Sequence, residues 1–329
     1  MTPPCTITFV VPVYNERNTL ERLAEGIDAH AVPWAHDILF VDDGSTDGSY
    51  EVLCALHERL PTVGILRFEA NAGKTQALAA GFAHARGDVF VTMDADLQDD
   101  PAEIPKLLGK LFEGHDVVCG WKSDRQDPWH KTLPSRVYNF YIARTFGIRL
   151  HDVNTGFKAM RAEAARSVPL FGDMHRLIPI FARHAGYDVT EVAVRHHPRR
   201  HGISKYGPER FLHGLRDIAR ARLLTRFRGS VLPYVERALL WTAAGLGAAA
   251  LADWAGGLPP IVRWTLAGTF DAVCAGIVLH CLYMVRIGPG IVRHAANAPL
   301  EAKICDVRPA RAAHPGQVSA SMERTAHQS

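Results

Sequence analysis

The chain has 329 residues, 47% of them hydrophobic and 22% charged, enough to bury a core of enzyme size and too apolar for a disordered chain. A net charge of +3 is too small to make nucleic acid the expected partner, so the placement of charge matters more than its sum. Six cysteines without a CxxC pair or regular spacing argue against a disulfide framework or a cysteine-held zinc, and fit a reducing compartment.

The opening stretch MTPPCTITFVVPVYNE has no basic residues ahead of its apolar run, and that run has the length of a strand, so no signal peptide is expected. TITFVVPVY, DILFVDD, TVGILRF, DVFVTMDAD and HDVVCGW follow as β-rich runs. Between them Asn18 to His30, Thr46 to Leu60 and Lys74 to Arg86 carry apolar residues at helical spacing, with Ser45, Thr46 and Asp47 as natural caps of the second. This alternation predicts an α/β domain built on a mostly parallel sheet, with ligands at the carboxyl ends of its strands. Acidic residues fall at those ends: Asp42 and Asp43 after one strand, Asp94 and Asp96 after another.

Beyond Val194 the composition changes. Arg199 to Arg228 holds nine Lys or Arg against Glu209 and Asp217. Apolar residues there (Phe211, Leu215, Ile218, Leu223, Phe227) recur every three to four positions, as in an amphipathic helix with a cationic face. Ala238 to Ala252 is uncharged and Trp264 to Val285 is apolar except for Asp271 and His280, with Gly256, Gly257, Pro259 and Pro260 as a turn between them. Two membrane spans in a hairpin are expected, although the first is shorter than the roughly 20 residues that cross hydrocarbon unless it recruits flanking residues; a helix pair buried in a soluble domain is the competing reading. Arg226 and Arg228 before the hairpin and Arg286 and Arg293 after it place both ends in the cytoplasm. The expected organisation is a catalytic domain over 1–205, a juxtamembrane amphipathic helix over 206–230, a hairpin over 231–287, and a cytoplasmic tail over 288–329, disordered from about Pro309.

DADLQDD, Asp94 to Asp100, follows an apolar strand and puts Asp94, Asp96 and Gln98 at alternate positions, on one side if the strand continues. Oxygen ligands of this kind suit Mg²⁺ or Mn²⁺. A solvated loop is the bland alternative for a lone DxD. His196, His197 and His201 in RHHPRRHG lack helical ligand spacing and are read as a solvated basic loop. His175-Arg176 is compatible with either a site or a core cap. No GxGxxG follows the first strand, which excludes a dinucleotide fingerprint there.

The ordered set VPVYNE (11–16), DDGSTD (42–47), NAGKTQALAAGFAHARGD (71–88) and DADLQD (94–99) resembles the nucleotide-sugar half of the family 2 glycosyltransferases, whose fold is the GT-A type. KTLPSR (131–136), DVNTGFK (152–158) and HGISKYG (201–207) resemble the narrower group of dolichyl-phosphate mannose synthases and bacterial polyprenyl-phosphate glycosyltransferases. The resemblance implies a GT-A nucleotide-sugar-binding domain followed by the interface helix and hairpin. It implies an inverting, hexosyltransferase-type enzyme moving a sugar from a UDP-sugar or GDP-mannose to an undecaprenyl or dolichyl phosphate. It further implies that Pro12, Tyr14, Glu16 and Asp42 hold base and ribose with Asp43 nearby, that Asp94, Ala95 and Asp96 contact nucleotide and sugar, and that Asp96 with Gln98 binds Mg²⁺ or Mn²⁺. Lys122 stands where relatives often carry a phosphate-gripping arginine and keeps the charge without the bidentate fork. Lys131, Ser135 and Arg136 match an acceptor-phosphate segment, Asp152 matches an acceptor-facing aspartate, and Lys205 matches a lysine of a loop that closes over the donor. Catalysis would rest on Asp96, Asp152 and Lys205, with Arg200 an alternative cation at the leaving group.

An acceptor phosphate is already anionic near neutral pH, so no strong general base is needed, and the chain accordingly lacks both a Glu-Asp dipeptide and QxxRW. Expected partners are the donor, the lipid phosphate and the membrane, the inner one in a bacterium, with the catalytic domain cytoplasmic, no nucleic acid, and room for a homo-oligomer. Transfer to another membrane lipid, or a non-catalytic nucleotide-sugar-binding role, are the alternatives.

Overall fold

The computed structural model describes residues 5–122, 142–197 and 303–311, with isolated positions 218, 221, 222 and 268. The interface helix and hairpin expected over 206–287 lie outside this set apart from those isolated positions. Among the described residues no helix is long and apolar enough to cross a membrane. Residues 1–222 and 295–329 form one compact unit and 223–294 another. Every strand described below belongs to the first.

The elements run β1 (Thr6–Val13), α1 (Leu20–Ala31), β2 (Ala35–Asp42), α2 (Ser49–Arg59), β3 (Val63–Phe68), α3 (Lys74–His84), β4 (Val89–Thr92), α4 (Ile104–Phe112), β5 (Val117–Lys122), β6 (Lys158–Arg161), α5 (Ala162–Ser167), α6 (Ile178–Ala185), β7 (Val189–Val194) and β8 (Ile304–Arg308). The eight strands form one sheet in the order β7-β5-β6-β4-β1-β2-β3-β8. The pairs β1–β2, β1–β4, β2–β3 and β5–β7 are parallel, whereas β4–β6, β5–β6 and β3–β8 are antiparallel. All five expected strands are present. Three more, β6, β7 and β8, have no counterpart in the sequence reading, and β8 falls in the segment read as tail.

Ile7, Phe9, Val10 and Val11 of β1 are fully buried, as are Ile38, Phe40 and Val41 of β2. Such runs mark strands covered on both faces, which is what parallel crossovers through helices produce. The chain leaves β1 for β2 and β3 on one side, then returns through α3 to place β4 on the other side of β1. That reversal opens a crevice at the carboxyl ends of β1, β2 and β4, where Val13 lies opposite Asp42 and Val10 opposite Thr92. Two expectations change locally. The N-cap of α2 is Gly48, at φ 89°, while Asp47 accepts the Ser49 N–H at 2.9 Å and Ser45 turns to Asn15. β4 ends at Thr92 and Leu97 has φ 57°, so loop geometry, and not strand alternation, arranges Asp94, Asp96 and Gln98.

Away from the crevice, the buried Asp28 carboxylate accepts from His36 Nε2 at 2.9 Å and from the Thr62 hydroxyl at 3.1 Å. Burial pushes the His36 imidazole toward neutrality, but its hydrogen bonds to Asp28 and to the Trp34 carbonyl outweigh this, and its pKa is raised. A folded pKa above the unfolded value means that this contribution is complete below the unfolded His pKa and fades as pH rises through the folded one. Urea unfolding at several pH values checks it: wild type is expected to exceed His36→Gln by about 1–2 kcal/mol on the acid side, with the gap shrinking above neutrality. A gap that grew with pH would reverse the assignment.

Candidate donor-binding and transfer site

Three loops at the crevice are locked to one another by carboxylates. After β2, Asp42 is fully buried; its Oδ1 accepts the Ser45 N–H at 3.0 Å, and its Oδ2 lies 3.3 Å from Arg67 Nε but has no hydrogen bond of acceptable angle. Burial raises its pKa against the opposing pull of Ser45 and Arg67. Asp43 is used differently: Oδ1 accepts from Ala72 N–H at 2.7 Å and Oδ2 from Gly73 N–H at 2.9 Å and Asn71 Nδ2 at 3.0 Å. Its carboxylate therefore anchors the loop that leads into α3. Gly44, at φ 69°, sits so close to that loop that a Cβ would meet the Ala70 carbonyl carbon at 2.6 Å. Only glycine suits both the left-handed backbone and the approach.

The β1 end is tied to the same turn. Asn15, at φ 55°, donates its N–H to Ser45 Oγ at 3.0 Å and accepts the Thr46 N–H at 2.8 Å; the Glu16 N–H donates to Ser49 Oγ at 3.0 Å. Pro12, Tyr14 and Glu16 thus lie on a backbone held against the Asp42 loop.

After β4, Asp94 forms an ion pair with Lys74, the first residue of α3. Burial alone would raise the Asp94 pKa, but Lys74, with Lys122 and His175 nearby, holds the carboxyl well below the usual range. Gly156 is packed against that carboxylate: a Cβ there would lie 2.6 Å from Asp94 Oδ1. The Gly156 carbonyl accepts from Thr92 Oγ1 at 2.7 Å, which joins the DVNTGFK turn to the end of β4. Lys158 is buried, donates to the Thr155 carbonyl, and has its pKa lowered chiefly by burial. His175, hydrogen-bonded to Thr75 Oγ1 at 2.7 Å, is driven toward the neutral form by burial and by the cations Lys74, Arg176 and Lys158. The His175-Arg176 pair is buried beside this charged floor.

Ala95 and Asp96 are buried, the latter 7% exposed, and Asp96 Oδ1 accepts the Gln98 N–H at 3.1 Å. The following residues dock on the end of β7. His197 N–H donates to the Gln98 carbonyl at 2.8 Å, Gln98 Nε2 lies 3.4 Å from His196 Nε2, and Asp99 lies 3.5 Å from His196 Nδ1 and 3.8 Å from Lys122 Nζ. Asp100 meets His197 at 3.1 Å, and Arg195 donates to Glu103 at 2.6 Å. Arg195 and His197 stay well exposed, as a solvated basic loop would, while pairing with Glu103 and Asp100, and His196 is largely covered against the DADLQDD loop; His201 lies outside the described residues. Asp152 is buried, and its charge reaches Lys158. Lys131, Ser135, Arg136, Arg200 and Lys205 lie outside the described residues.

The structure thus places Pro12, Tyr14, Glu16, Asp42 and Asp43 on tied segments at the ends of β1 and β2, Asp94, Ala95, Asp96 and Gln98 on the loop after β4, and Lys122 at the end of β5. Sequence reasoning assigned no role to Arg67, Lys74, Gly156 or Lys158. A lysine directly after Asn-Ala-Gly and opening a helix was the available signal for Lys74.

A mostly parallel sheet with acidic loops at the ends of β2 and β4 is an α/β fold of the kind that takes ligands at its topological switch point. The model of the family described as glycosyl transferase family 2 matches residues 8–168. A dodecaprenyl-phosphate galacturonate synthase of Rhizobium johnstonii is 35% identical over 234 residues, covering 68% of each chain. An undecaprenyl-phosphate 4-deoxy-4-formamido-L-arabinose transferase of Pseudomonas savastanoi is 36% identical over 226 residues, covering 68% of this chain and 67% of the relative. The chain belongs to glycosyl transferase family 2. Among solved structures, glucosyl-3-phosphoglycerate synthase from Mycobacterium tuberculosis, in complex with Mn²⁺ and UDP-glucose, superimposes with a TM-score of 0.53 at 20% identity, covering 69% of this chain and 81% of that one. That likeness is one of fold, the GT-A type.

Proposed function

We propose that this glycosyltransferase moves a sugar from a nucleotide-sugar to a polyprenyl phosphate at a membrane surface, with inversion at the anomeric carbon. The observation that supports the donor half is the buried Asp42 carboxylate at the end of β2, whose Oδ2 has Arg67 Nε 3.3 Å away but no well-aligned hydrogen bond. A base with an imide-type N–H, uracil or guanine, would supply one. The acceptor half is supported by two relatives whose names specify dodecaprenyl and undecaprenyl phosphate. The cationic and apolar sequence of 206–287 supports the membrane.

Asp94, committed to Lys74, is left to orient the donor sugar through its remaining capacity. The described residues contain no group of three His, Cys, Asp or Glu side chains able to hold a metal. A Mg²⁺ or Mn²⁺ that takes one or two side-chain oxygens and completes its shell with substrate phosphates needs less, and Asp96 with Gln98 offers such hard oxygens in one turn. When bound, the ion would neutralise charge on the departing nucleoside diphosphate. Lys205 would add a second positive charge as its loop closes, Lys131, Ser135 and Arg136 would hold the lipid phosphate, and the buried Asp152 would orient that acceptor for attack opposite the leaving group. The incoming phosphate oxygen is already anionic, so no residue need remove a proton.

Mass spectrometry of lipid products from UDP- and GDP-sugars tests this reading. A sugar-phosphate-polyprenol product, with none formed on diacylglycerol, is expected; product on a lipid hydroxyl alone, or hydrolysis alone, would overturn the acceptor assignment. Donor selectivity gives a sharper check. Cytosine N3 is an acceptor and would face the Asp42 oxygen unpaired, at a cost of about 1–3 kcal/mol. CDP is therefore expected to compete roughly 10- to 100-fold more weakly than the better of UDP and GDP; equal competition would remove Asp42 from the base site.

A further inference from the structure

We propose that the C-terminal strand β8 is a positioning element of the nucleoside pocket, acting through Tyr50 and Arg67 on Asp42. The inference rests on Asp42 being the group that meets the base and adds the device that holds it.

β8 pairs antiparallel with β3, with Asp306 opposite Arg67. Its alternation leaves Cys305 and Val307 exposed and turns Ile304, Asp306 and Arg308 to the half-buried side. There the Tyr50 hydroxyl of α2 donates to Asp306 Oδ2, although the two residues are 256 apart in the chain. Arg308 Nε donates to the same carboxylate at 2.8 Å, and its Nη2 donates to the Tyr50 oxygen at 3.3 Å. The phenol is thus fixed by two residues of one strand. Its ring in turn carries the Arg67 guanidinium, with Cζ 3.8 Å from the ring centroid, and Arg67 Nε lies 3.3 Å from Asp42 Oδ2.

Protecting the β3 edge would require only the backbone ladder and exposed charge. The chain Asp306, Tyr50, Arg67, Asp42 does something more specific. Arg67 has a long, rotamer-rich side chain, and a stacked guanidinium keeps one plane and one set of donors. Stacked on Tyr50, it holds a fully buried carboxylate in one rotamer while leaving Oδ2 without a well-aligned bond. That preorganises the atom proposed to meet the base, so the freezing cost is met in folding and not in binding. The strand follows residues 231–287 in the chain, so the pocket is completed only by sequence lying beyond that segment.

Full-length protein and calorimetry with UDP and with GDP, taking the tighter of the two, give the test. Asp306→Ala combined with Arg308→Ala is expected to weaken nucleotide binding and raise donor KM by roughly 5- to 20-fold, and Tyr50→Phe by about 3-fold, a range typical of coupled contacts. At saturating donor, kcat should stay within about two-fold, the acceptor KM should be unchanged, and the thermal midpoint of Tyr50→Phe should match wild type. Nucleotide binding unchanged in both variants, while Asp42→Asn weakens it tenfold or more, would overturn the relay and leave the Asp42 reading standing. Unchanged binding in Asp42→Asn as well would overturn both. Parallel losses of kcat and thermal midpoint in Tyr50→Phe would mark β8 as structural support alone.

Discussion

Asp96→Asn should cost at least about 10³-fold in sugar transfer while leaving the fold intact, the scale expected when a catalytic site loses its main source of charge stabilisation at the leaving group. The reason lies in how the two neighbouring aspartates are used. Asp94 is bound to Lys74 and held ionised by it, and Asp96 Oδ1 accepts the Gln98 N–H in a tight turn. An Asn at 96 can still accept that N–H and so preserve the turn, but it withdraws the negative charge. Mn²⁺ titration in the presence of UDP, read by water proton relaxation, should show the loss of affinity directly. Near-normal turnover and Mn²⁺ affinity would remove the metal assignment. Loss of turnover with undiminished Mn²⁺ binding would move Asp96 from the metal to the sugar.

Gly156→Ala is expected to be nearly as damaging, at roughly 10²-fold in kcat/KM, through a methyl group that touches no ligand. Its Cβ would sit 2.6 Å from Asp94 Oδ1 and 2.7 Å from Asp94 Cγ, closer than real atoms approach. Relief requires either turning Asp94 away from Lys74 or moving the 156 backbone, whose carbonyl is held by Thr92 Oγ1. The first route misplaces the carboxylate proposed to orient the donor; the second displaces the turn that carries Asp152. Overpacking of this kind also costs about 1–3 kcal/mol of stability, so thermal midpoint and kinetics should be measured together. If the effect runs through Asp94, then Asp94→Asn should reproduce the kinetic loss, and combining the two should add little. Full activity in Gly156→Ala would show that the Asp94 orientation is not used.

These two residues differ in how visible they are in the chain. Asp96 stands out because an apolar strand followed by DADLQDD is a local pattern. Gly156 matters because of a carboxylate sixty-two residues earlier, which no local pattern reports. The same contrast runs through the site. The Asp42-Asp43 pair marks a strand end, yet only the structure separates a carboxylate set between Ser45 and Arg67 from one taken by the Ala72 and Gly73 amides and Asn71.

By itself the sequence determined the α/β class, the chain order of its first five strands, three of the four α-helices between them, α4 (Ile104–Phe112) being missed, and the clustering of acidic residues at strand ends. Periodicity and strand-end chemistry are short-range, so they survive in a one-dimensional reading. It also carried the family, because VPVYNE, DDGSTD and DADLQD keep their order and spacing. The tertiary structure decided what depends on distant pairing. β6 is four residues long and inserts antiparallel between β4 and β5; β7 is half-buried through most of its length; β8 comes from beyond residue 300 to cover β3. None of these strands has a run long or apolar enough to declare itself, since each is stabilised by the ladder that it joins. The pairing of the basic run at 195–197 was not legible because its acidic partners, Asp99, Asp100 and Glu103, are more than ninety residues earlier in the chain. Charge placement can be read along a chain, but charge pairing requires the fold.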